Sequence, residues 1–333
     1  MKKLIFTFVM SLVVTSFGFL NAQVFIVEHV GGVFAPYSNM KAATDALQDD
    51  DILYIPPGRH VISTYTFSYN GYTRNGICIG KRVKVLGAGY TLGINSSILV
   101  GDLWFTSGSS NSIISGLKME GGSNVYFDNT ALCYISRCMA NTFSIQNVAQ
   151  NNTITECVAN YTFSVDNSSS CLLSKSIAYS GNGQIYNTTL SNNVLPVNTF
   201  HNCNINNNIL INRTDDVANN INVPNDNNSY SYNLWVGCNP IATGNCTLSH
   251  EIIGQFANNT FVNYSTGDLH LKATSPGVAS GSDGTDRGIY GTSFPFKETR
   301  LPGTPYFSVK TISSETNAAG KLPVSIVVEA QDR

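Results

Sequence analysis

The chain of 333 residues is weakly charged: charged residues make up 12% of it, and the formal net charge is −2. That share is about half of what is usual for soluble proteins, so solubility must come from Asn, Ser, Thr and Gly side chains. The sequence has no basic stripe, which argues against nucleic acid as a partner.

The first 22 residues have the pattern of a secretory signal peptide. Lys2 and Lys3 form a basic start, residues 4–20 are mostly apolar, and Ala22 offers a small residue for cleavage. An uncleaved membrane anchor is the alternative, because the apolar run approaches the length of a membrane span. We favour cleavage after Ala22, since polar residues dilute the run, and expect no membrane span in the mature chain. No Cys lies near this site, which argues against a lipoprotein anchor.

Residues 38–47 are expected to form a short helix at the start of the mature chain. Ser38 or Asn39 can cap it, and Met40, Ala43 and Leu47 share one face. A short strand follows, which the turn residues at 56–58 bring to an end. We interpret the helix as a cap over the elements that come next.

Residues 112–190 repeat a short pattern about every twenty residues. An aliphatic residue recurs at steps of 21, 19 and 19 residues, and a second anchor follows it three positions later. The aliphatic column is Ile114, Ile135, Ile154 and Leu173, and the second column is Leu117, Cys138, Cys157 and Ser176. A third column is Asn129, Asn147, Asn167 and Asn187, with Ile205-Asn206-Asn207 as the candidate for its continuation. Self-similarity at this period predicts a solenoid.

The residue types of the repeat distinguish between solenoids. Leucine-rich repeats share the period, but they need a Leu-rich strand and a helical return, and Leu is sparse here. Ser, Thr, Asn, Val, Ile and aromatic residues favour strands and turns instead. The regular aliphatic columns argue against disorder. The sequence therefore predicts an all-β solenoid, whose coils of short strands stack ~4.8 Å apart.

These columns, together with the start at residues 50–60, resemble the right-handed parallel β-helix of the pectate-lyase-like family. The resemblance implies a single-stranded β-helix over residues 23–291, including its N-terminal cap, with stacked and hydrogen-bonded Asn side chains in the turns. Residues 266–278 and 281–291 resemble the closing phrase of many bacterial β-helix proteins, which implies a last coil. Export then places the protein outside the cell, at the cell surface or in the periplasm of a Gram-negative bacterium.

A tail, residues 292–333, follows the predicted solenoid. Pro295, Pro302 and Pro305 indicate a linker, and residues 306–313 and 322–330 alternate as two paired strands would. The tail resembles the strands that follow the helix in Bacteroidetes-type surface proteins. Packing on the edge of the helix and binding of a partner are both open interpretations, and the oligomeric state is not predicted.

The eight cysteines are interpreted mostly as small stacking residues. Cys138 and Cys157 occupy one column in consecutive coils, where parallel side chains suit the dihedral angle of a disulfide badly. Cys133 and Cys171 lie two coils apart, which is too far. Only Cys238 and Cys246 are expected to be able to form a bridge.

The family resemblance implies a polysaccharide lyase or glycoside hydrolase acting on a wall of the solenoid. A lyase would use clustered carboxylates to hold calcium, whereas a hydrolase would use paired Asp residues. The sequence shows no cluster of three acids on adjacent coils, so we assign no catalytic residue, metal ligand or cofactor; calcium belongs only to the lyase alternative. The preferred interpretation is a carbohydrate-binding or adhesive surface module for a polysaccharide or surface glycan, and a purely structural solenoid comes third.

Two columns carry the charges that could contact a glycan. Arg137, Glu156 and Lys175 form one, and Asp128 and Asp166 form the other, with Gln146 between them. The alternative for the first column is a ladder of alternating charge, in which each pair contributes under ~1 kcal/mol. Rings that could stack on sugars are Tyr126, Tyr134, Tyr161, Tyr179 and Tyr186.

Overall fold

The computed structural model describes residues 24–90, 96–180, 183–197, 199–212, 220–223, 226–299, 306–312, 320–321 and 324–329. The predicted signal peptide lies outside the described residues. Within these ranges the chain is almost entirely β-structure, as predicted. None of its helices there is long and apolar enough to cross a membrane.

The strands stack into three walls, which the chain visits in the order A, B, C in successive coils as far as residue 201; the later coils continue walls A and B. Wall A consists of Ile52–Tyr54, Lys84–Leu86, Ile113–Ser115, Tyr134–Ser136, Thr153–Thr155, Cys171–Ser174, Thr188–Ser191, Asn204–Asn206, Ser229–Ser231 and Thr247–Ser249. Wall B consists of Gly58–Val61, Ser97–Val100, Leu117–Glu120, the first halves of Met139–Gln146 and Val158–Val165, Ile177–Ala178, Val194–Pro196, Ile209–Ile211, Leu234–Val236 and Ile252–Gln255. Wall C consists of Ile77–Ile79, Leu103–Phe105, Val125–Asp128, the second halves of the two long strands, Gln184–Tyr186 and Thr199–His201. All neighbours within these walls are parallel, so the predicted parallel β-helix is confirmed.

The aliphatic column of the sequence is the inward-facing centre of wall A. Ile114 pairs with Ile135, Ile135 with Ile154, and Ile154 with Leu173, and each is at most 2% exposed. The pairing continues from Ile205 to Tyr230 and from Tyr230 to Leu248, steps of 25 and 18 residues. The walls therefore persist beyond residue 205, where the sequence pattern weakens because the loops between strands change length.

The second column of the sequence runs along the inside of the corner between walls A and B. After Ser176 it continues as Asn193, Asn208, Asn233 and Glu251. The Oδ1 atom of Asn208 accepts both the backbone and the side-chain N–H of Asn193, at 2.9 Å each. The Oδ1 atom of Asn233 likewise accepts the backbone and the side-chain N–H of Asn208, at 3.0 and 3.1 Å. This buried amide ladder satisfies backbone donors that would otherwise be unpaired inside the solenoid.

The predicted Asn column has a different structure from the one expected. Asn129, Asn147, Asn167 and Asn187 have φ between 46° and 57°, the left-handed turn conformation that Asn tolerates, but they are exposed. Asn147 donates to Asp128 rather than to another Asn. The column continues through Asn202 and Asn227, where the side-chain amides bond from coil to coil at 3.0 Å. The continuation predicted at residues 205–207 was wrong, since Asn207 belongs to the corner between walls A and B.

The N-terminal cap matches its prediction. The helix Met40–Asp45 begins at Asn39, whose side chain accepts the N–H of Ala42 at 2.9 Å. Met40, Ala43 and Leu47 are buried. The strands Phe25–His29 and Val33–Tyr37 extend wall A in the antiparallel sense, and a second hairpin, Thr66–Tyr69 with Tyr72–Asn75, projects before wall C.

The chain after wall B does not form the predicted last coil. A short helix, Ala257–Thr260, leads into Phe261–Asn263, which pairs antiparallel with Asp268–Leu271. These elements and residues 275–298 pack against the outside of wall B. Phe296 is 3% exposed, so this part of the predicted linker is packed.

Smaller elements complete the fold. The two strands predicted in the tail pair antiparallel as Tyr306–Ile312 and Val324–Glu329. Asn220–Val223 and Asn239–Ala242 form a separate parallel pair, and 3₁₀ turns occur at Ser107–Ser109 and Tyr264–Thr266.

None of the eight cysteines, all of which lie among the described residues, forms a disulfide bond, so the bridge that the sequence left open between Cys238 and Cys246 is absent. Cys238 follows a wall B strand and Cys246 precedes a wall A strand, and both are buried. They occupy different columns of the core, so closeness in sequence does not bring them into a bonding position.

Candidate functional site

The outer face of wall B is covered from the coil of Val158 onward. The outward side chains there are apolar in five successive coils: Val158, Ile177, Val194, Ile209 and Leu234. Ala257, Phe261, Leu269, Ile289 and Phe296 of the C-terminal segment pack on them. A ligand could reach this part of the wall only if that segment were displaced, whereas the first coils present the ion-paired side chains of Arg59, Lys118 and Glu120.

Arg137, Glu156 and Lys175 lie in the turns between walls A and B. Their φ angles of 51°, 53° and 46° are left-handed, as are those of the corner residues in the neighbouring coils. Arg137 Nε lies 2.6 Å from one Glu156 oxygen, and Lys175 Nζ lies 3.4 Å from the other. The three side chains are only 11–21% exposed. The structure brings the predicted column together as a ladder of alternating charge; whether it contacts a glycan stays a prediction.

Asp128 and Asp166 lie in one outward row of wall C, with Gln146 between them, but in different environments. Asp128 is 2% exposed and accepts hydrogen bonds from the Tyr69 hydroxyl at 3.0 Å and from the side-chain amides of Gln146 and Asn147 at 2.8 Å each. Asp166 is exposed. Burial and three donors fix the Asp128 carboxylate in place, whereas the Asp166 carboxylate faces solvent.

A cleft of about 470 Å³ runs along the outer face of wall C over several coils. Hydroxyl and amide side chains predominate in its lining, with two Tyr rings and one carboxylate. The lining residues are Asn124, Tyr126, Asn141, Thr142, Ser144, Tyr161, Thr162, Ser164, Asp166, Gly183 and Gln184. The volume falls within the usual range for sites that bind small molecules.

Gly183 fits the cleft floor because a side chain there would collide with wall C. A Cβ atom at this position would lie 2.3 Å from both the Phe163 carbonyl oxygen and the Thr162 hydroxyl. The absence of a side chain lets the next coil approach this closely.

Aromatic residues build one end of the cleft. The Tyr126 ring stacks on Trp104, with centroids 3.9 Å apart, and Phe67 and Tyr69 of the projecting hairpin contact the other parts of the Trp104 ring system. Arg74 of the same hairpin lies 5.1 Å from the Trp104 ring centre. Stacked rings of this kind are rigid and offer the cleft a fixed aromatic edge.

Polar side chains next to Tyr126 are linked by hydrogen bonds from one coil to the next. Asp102 accepts the backbone N–H of Asn124 at 2.9 Å, and Asn124 bonds to the Tyr126 hydroxyl and to Asn141 at 3.2 Å each. Burial raises the pKa of Asp102 and, as the main cause, that of Tyr126. These contacts hold the amide groups of the cleft in fixed orientations.

The other end of the cleft adjoins a stacked pair. Tyr186 and His201 lie 4.2 Å apart with nearly parallel rings, and His201 Nδ1 lies 2.8 Å from an Asp226 oxygen. The Tyr186 hydroxyl donates to Gln184, which lines the cleft. The outward row of wall C thus passes from Asp128 through Asp166 to His201.

The sequence placed only part of this site. Tyr126, Tyr161 and Asp166 were predicted contacts and do line the cleft, while Tyr134 and Tyr179 are exposed elsewhere. Asn124, Asn141 and Gln184 were missed. The signal that could have found part of the cleft is the period-two alternation in F-S-I-Q and F-S-V-D, residues 143–146 and 163–166, whose polar positions face outward together.

The described residues contain no group of three or more His, Cys, Asp or Glu side chains that could hold a metal ion. The cleft lining contains a single carboxylate, whereas Ca²⁺ prefers six to eight oxygen ligands. The lining therefore suits recognition of a polar organic ligand better than it suits cation-assisted chemistry.

No protein-family model matches the chain, and the search of curated proteins finds no match.

Proposed function

We propose that the protein is exported and binds a glycan, without cleaving it, in the cleft on wall C. The observation that carries the proposal is the cleft itself: an open groove lined by hydroxyls, amides and two Tyr rings, on a rigid stack of strands. Sugars offer many hydroxyl groups for hydrogen bonds and apolar ring faces for stacking. Amide and Tyr side chains match both features.

Exposure distinguishes wall C from the other predicted surface. Tyr161 is 46% exposed and lines the cleft, so its ring can contact a sugar without any rearrangement. The charged side chains of Arg137, Glu156 and Lys175 already satisfy one another. A ligand would have to compete with those ion pairs, so the corner column is the weaker candidate.

A glycoside hydrolase is the second candidate, because Asp128 and Asp166 share one row two coils apart. That spacing is ~9.6 Å, close to the ~6.5–9.5 Å that separates the carboxyl groups of inverting enzymes. Asp128 is buried, however, and its carboxylate accepts hydrogen bonds from three side chains, so it is poorly placed to exchange a proton with a substrate. Binding without turnover fits this environment better.

The test is affinity electrophoresis and calorimetry of the protein without residues 1–22 against a panel of polysaccharides and oligosaccharides. Tyr161→Ala should weaken retention by the polymer that binds, because it removes an exposed stacking ring. Tyr134→Ala is the matched control, since its ring is 43% exposed but lies on wall A. Glu156→Gln tests the corner column in the same assay.

Equal losses in Tyr161→Ala and Tyr134→Ala, or a loss confined to Glu156→Gln, would place binding elsewhere. Release of reducing ends or unsaturated products, abolished by Asp166→Asn, would show that the protein is an enzyme. Failure of every polymer in the panel to bind would contradict the proposed function itself.

A further inference from the structure

Asp166 is the one charged residue among the described residues that line the cleft. It is exposed, and among the described residues no side chain donates a hydrogen bond to its carboxylate. Asp128, in the same row, has three donors. The cleft therefore holds an unneutralised negative charge at a position where a bound ligand would lie.

The surroundings of Asp166 favour a cation over a neutral or anionic group. Tyr161, with an exposed ring, lines the same cleft, and an aromatic face attracts cations. A neutral sugar over Asp166 would displace water from the carboxylate and donate hydroxyl hydrogen bonds to it, but it would lack the attraction between opposite charges that an ammonium group adds. A sugar carboxylate would be repelled there, and the net charge of the whole chain is also negative.

We propose that the cleft recognises a glycan that carries free, protonated amino groups, with Asp166 as the residue that binds the ammonium group. This inference rests on the proposed glycan-binding function and gives it a ligand class. The ammonium group would donate to the carboxylate in a charge-assisted hydrogen bond. A metal ion is the poorer occupant, because the other lining residues supply no second carboxylate.

The probes are glucosamine oligosaccharides and N-acetylglucosamine oligosaccharides of equal length, which differ in charge at each nitrogen. At a pH where the amine is protonated, the wild-type protein should bind the free-amine form about threefold to tenfold more tightly, as expected for an exposed ion pair in a cleft that also contains an aromatic ring. Asp166→Asn should lose that preference, so that its affinities for the free-amine and acetylated forms become about equal. The preference should also disappear at a pH where the amine is neutral.

Asp45→Asn is the matched control, because it removes one negative charge from an exposed site on the capping helix. It should keep the preference, which separates local recognition from general attraction to a negative protein. Equal or tighter binding of the acetylated form by the wild type would overturn the inference, as would a preference that persists in Asp166→Asn. In those cases the proposed function would still stand if the acetylated form or another polymer binds; absence of binding to every glycan would remove both.

Discussion

Walls B and C are formed by the same coils, but their outer faces differ in composition and in exposure to solvent. Both present alternating side chains, with the inward rows packed in one core. From Val158 to Leu234 the outward row of wall B is aliphatic and is covered by the C-terminal segment. The outward rows of wall C carry Ser, Gln, Asp and Tyr and line an open cleft. In this solenoid, the composition of an outward row decides whether a wall is used for stability or left available for a ligand.

The difference has an energetic consequence. Each aliphatic side chain that the C-terminal segment buries on wall B contributes ~1.5–3 kcal/mol. Wall C contributes through its inward rows, where Phe105 stacks on Phe127 and Phe143 on Phe163. Its exposed outward residues, such as Tyr161 and Asp166, therefore contribute less to the fold than the inward rows do.

The largest expected change in stability comes from the contact between wall B and the C-terminal segment that covers it. Phe261 is 0% exposed in the cluster that joins them, so Phe261→Ala should lower the free energy of unfolding by about 3–5 kcal/mol. Phe256→Ala, at a ring that is 43% exposed just before the same helix, is the control and should change it little. Urea denaturation followed by circular dichroism measures both. Equal stability of the two variants would mean that the segment does not close wall B.

A smaller effect concerns pH at the end of the amide ladder next to wall B. Burial raises the pKa of Glu251 to about 7, although Trp235, Asn233 and Arg287 oppose the shift. Between about pH 4.5 and 7 the Glu251 carboxyl group is therefore protonated in the folded state and ionised in the unfolded state. Stability from this group is complete below about pH 4.5 and is lost as the pH rises to about 7, a change of about 3 kcal/mol.

Glu251→Gln isolates this contribution because it cannot titrate. The unfolding free energy of the wild type, relative to that of the variant, should be higher at about pH 4.5 than at about pH 8. Chemical denaturation at both pH values measures it. A difference that does not change with pH would show that Glu251 is ordinarily solvated in the folded protein.

The smallest expected effect is on wall C. Tyr161→Ala should change the free energy of unfolding by no more than ~0.5 kcal/mol, since the ring is exposed and supports no neighbour in the core. The same variant should lose glycan binding, so stability and binding should separate. A large loss of stability would instead assign this ring to the fold and weaken the contrast between the walls.

Periodicity made much of this fold predictable. The column from Ile114 to Leu173 was placed correctly, because every coil must bury one residue at the centre of wall A. The cap at Asn39 was also predictable, since helix capping depends on residues close in sequence. Beyond residue 190 the coils vary from 15 to 25 residues between paired positions, and a fixed period no longer finds their strands.

The cleft was harder to predict for a physical reason. Tyr126 and Asp166 are 40 residues apart in sequence, and they line the same cleft only because wall C stacks their strands. The hairpin that packs on Trp104 comes from a loop that has no counterpart among the described residues of the other coils. A column of residues gives the order of the coils, but it does not give the depth of a groove or the part of the chain that bounds it.

The sequence by itself determined the repeat, the inward columns and the left-handed turns of the Asn column, because these depend on side-chain size and local backbone preference. The tertiary structure decided which outer face is open. The C-terminal segment could cover wall B only once that wall had assembled its apolar row from many coils. Likewise, Asp128 became a buried acceptor and Asp166 an exposed carboxylate through the neighbours that folding brought to each. Long-range packing set those two environments, and no short stretch of the chain contains the information.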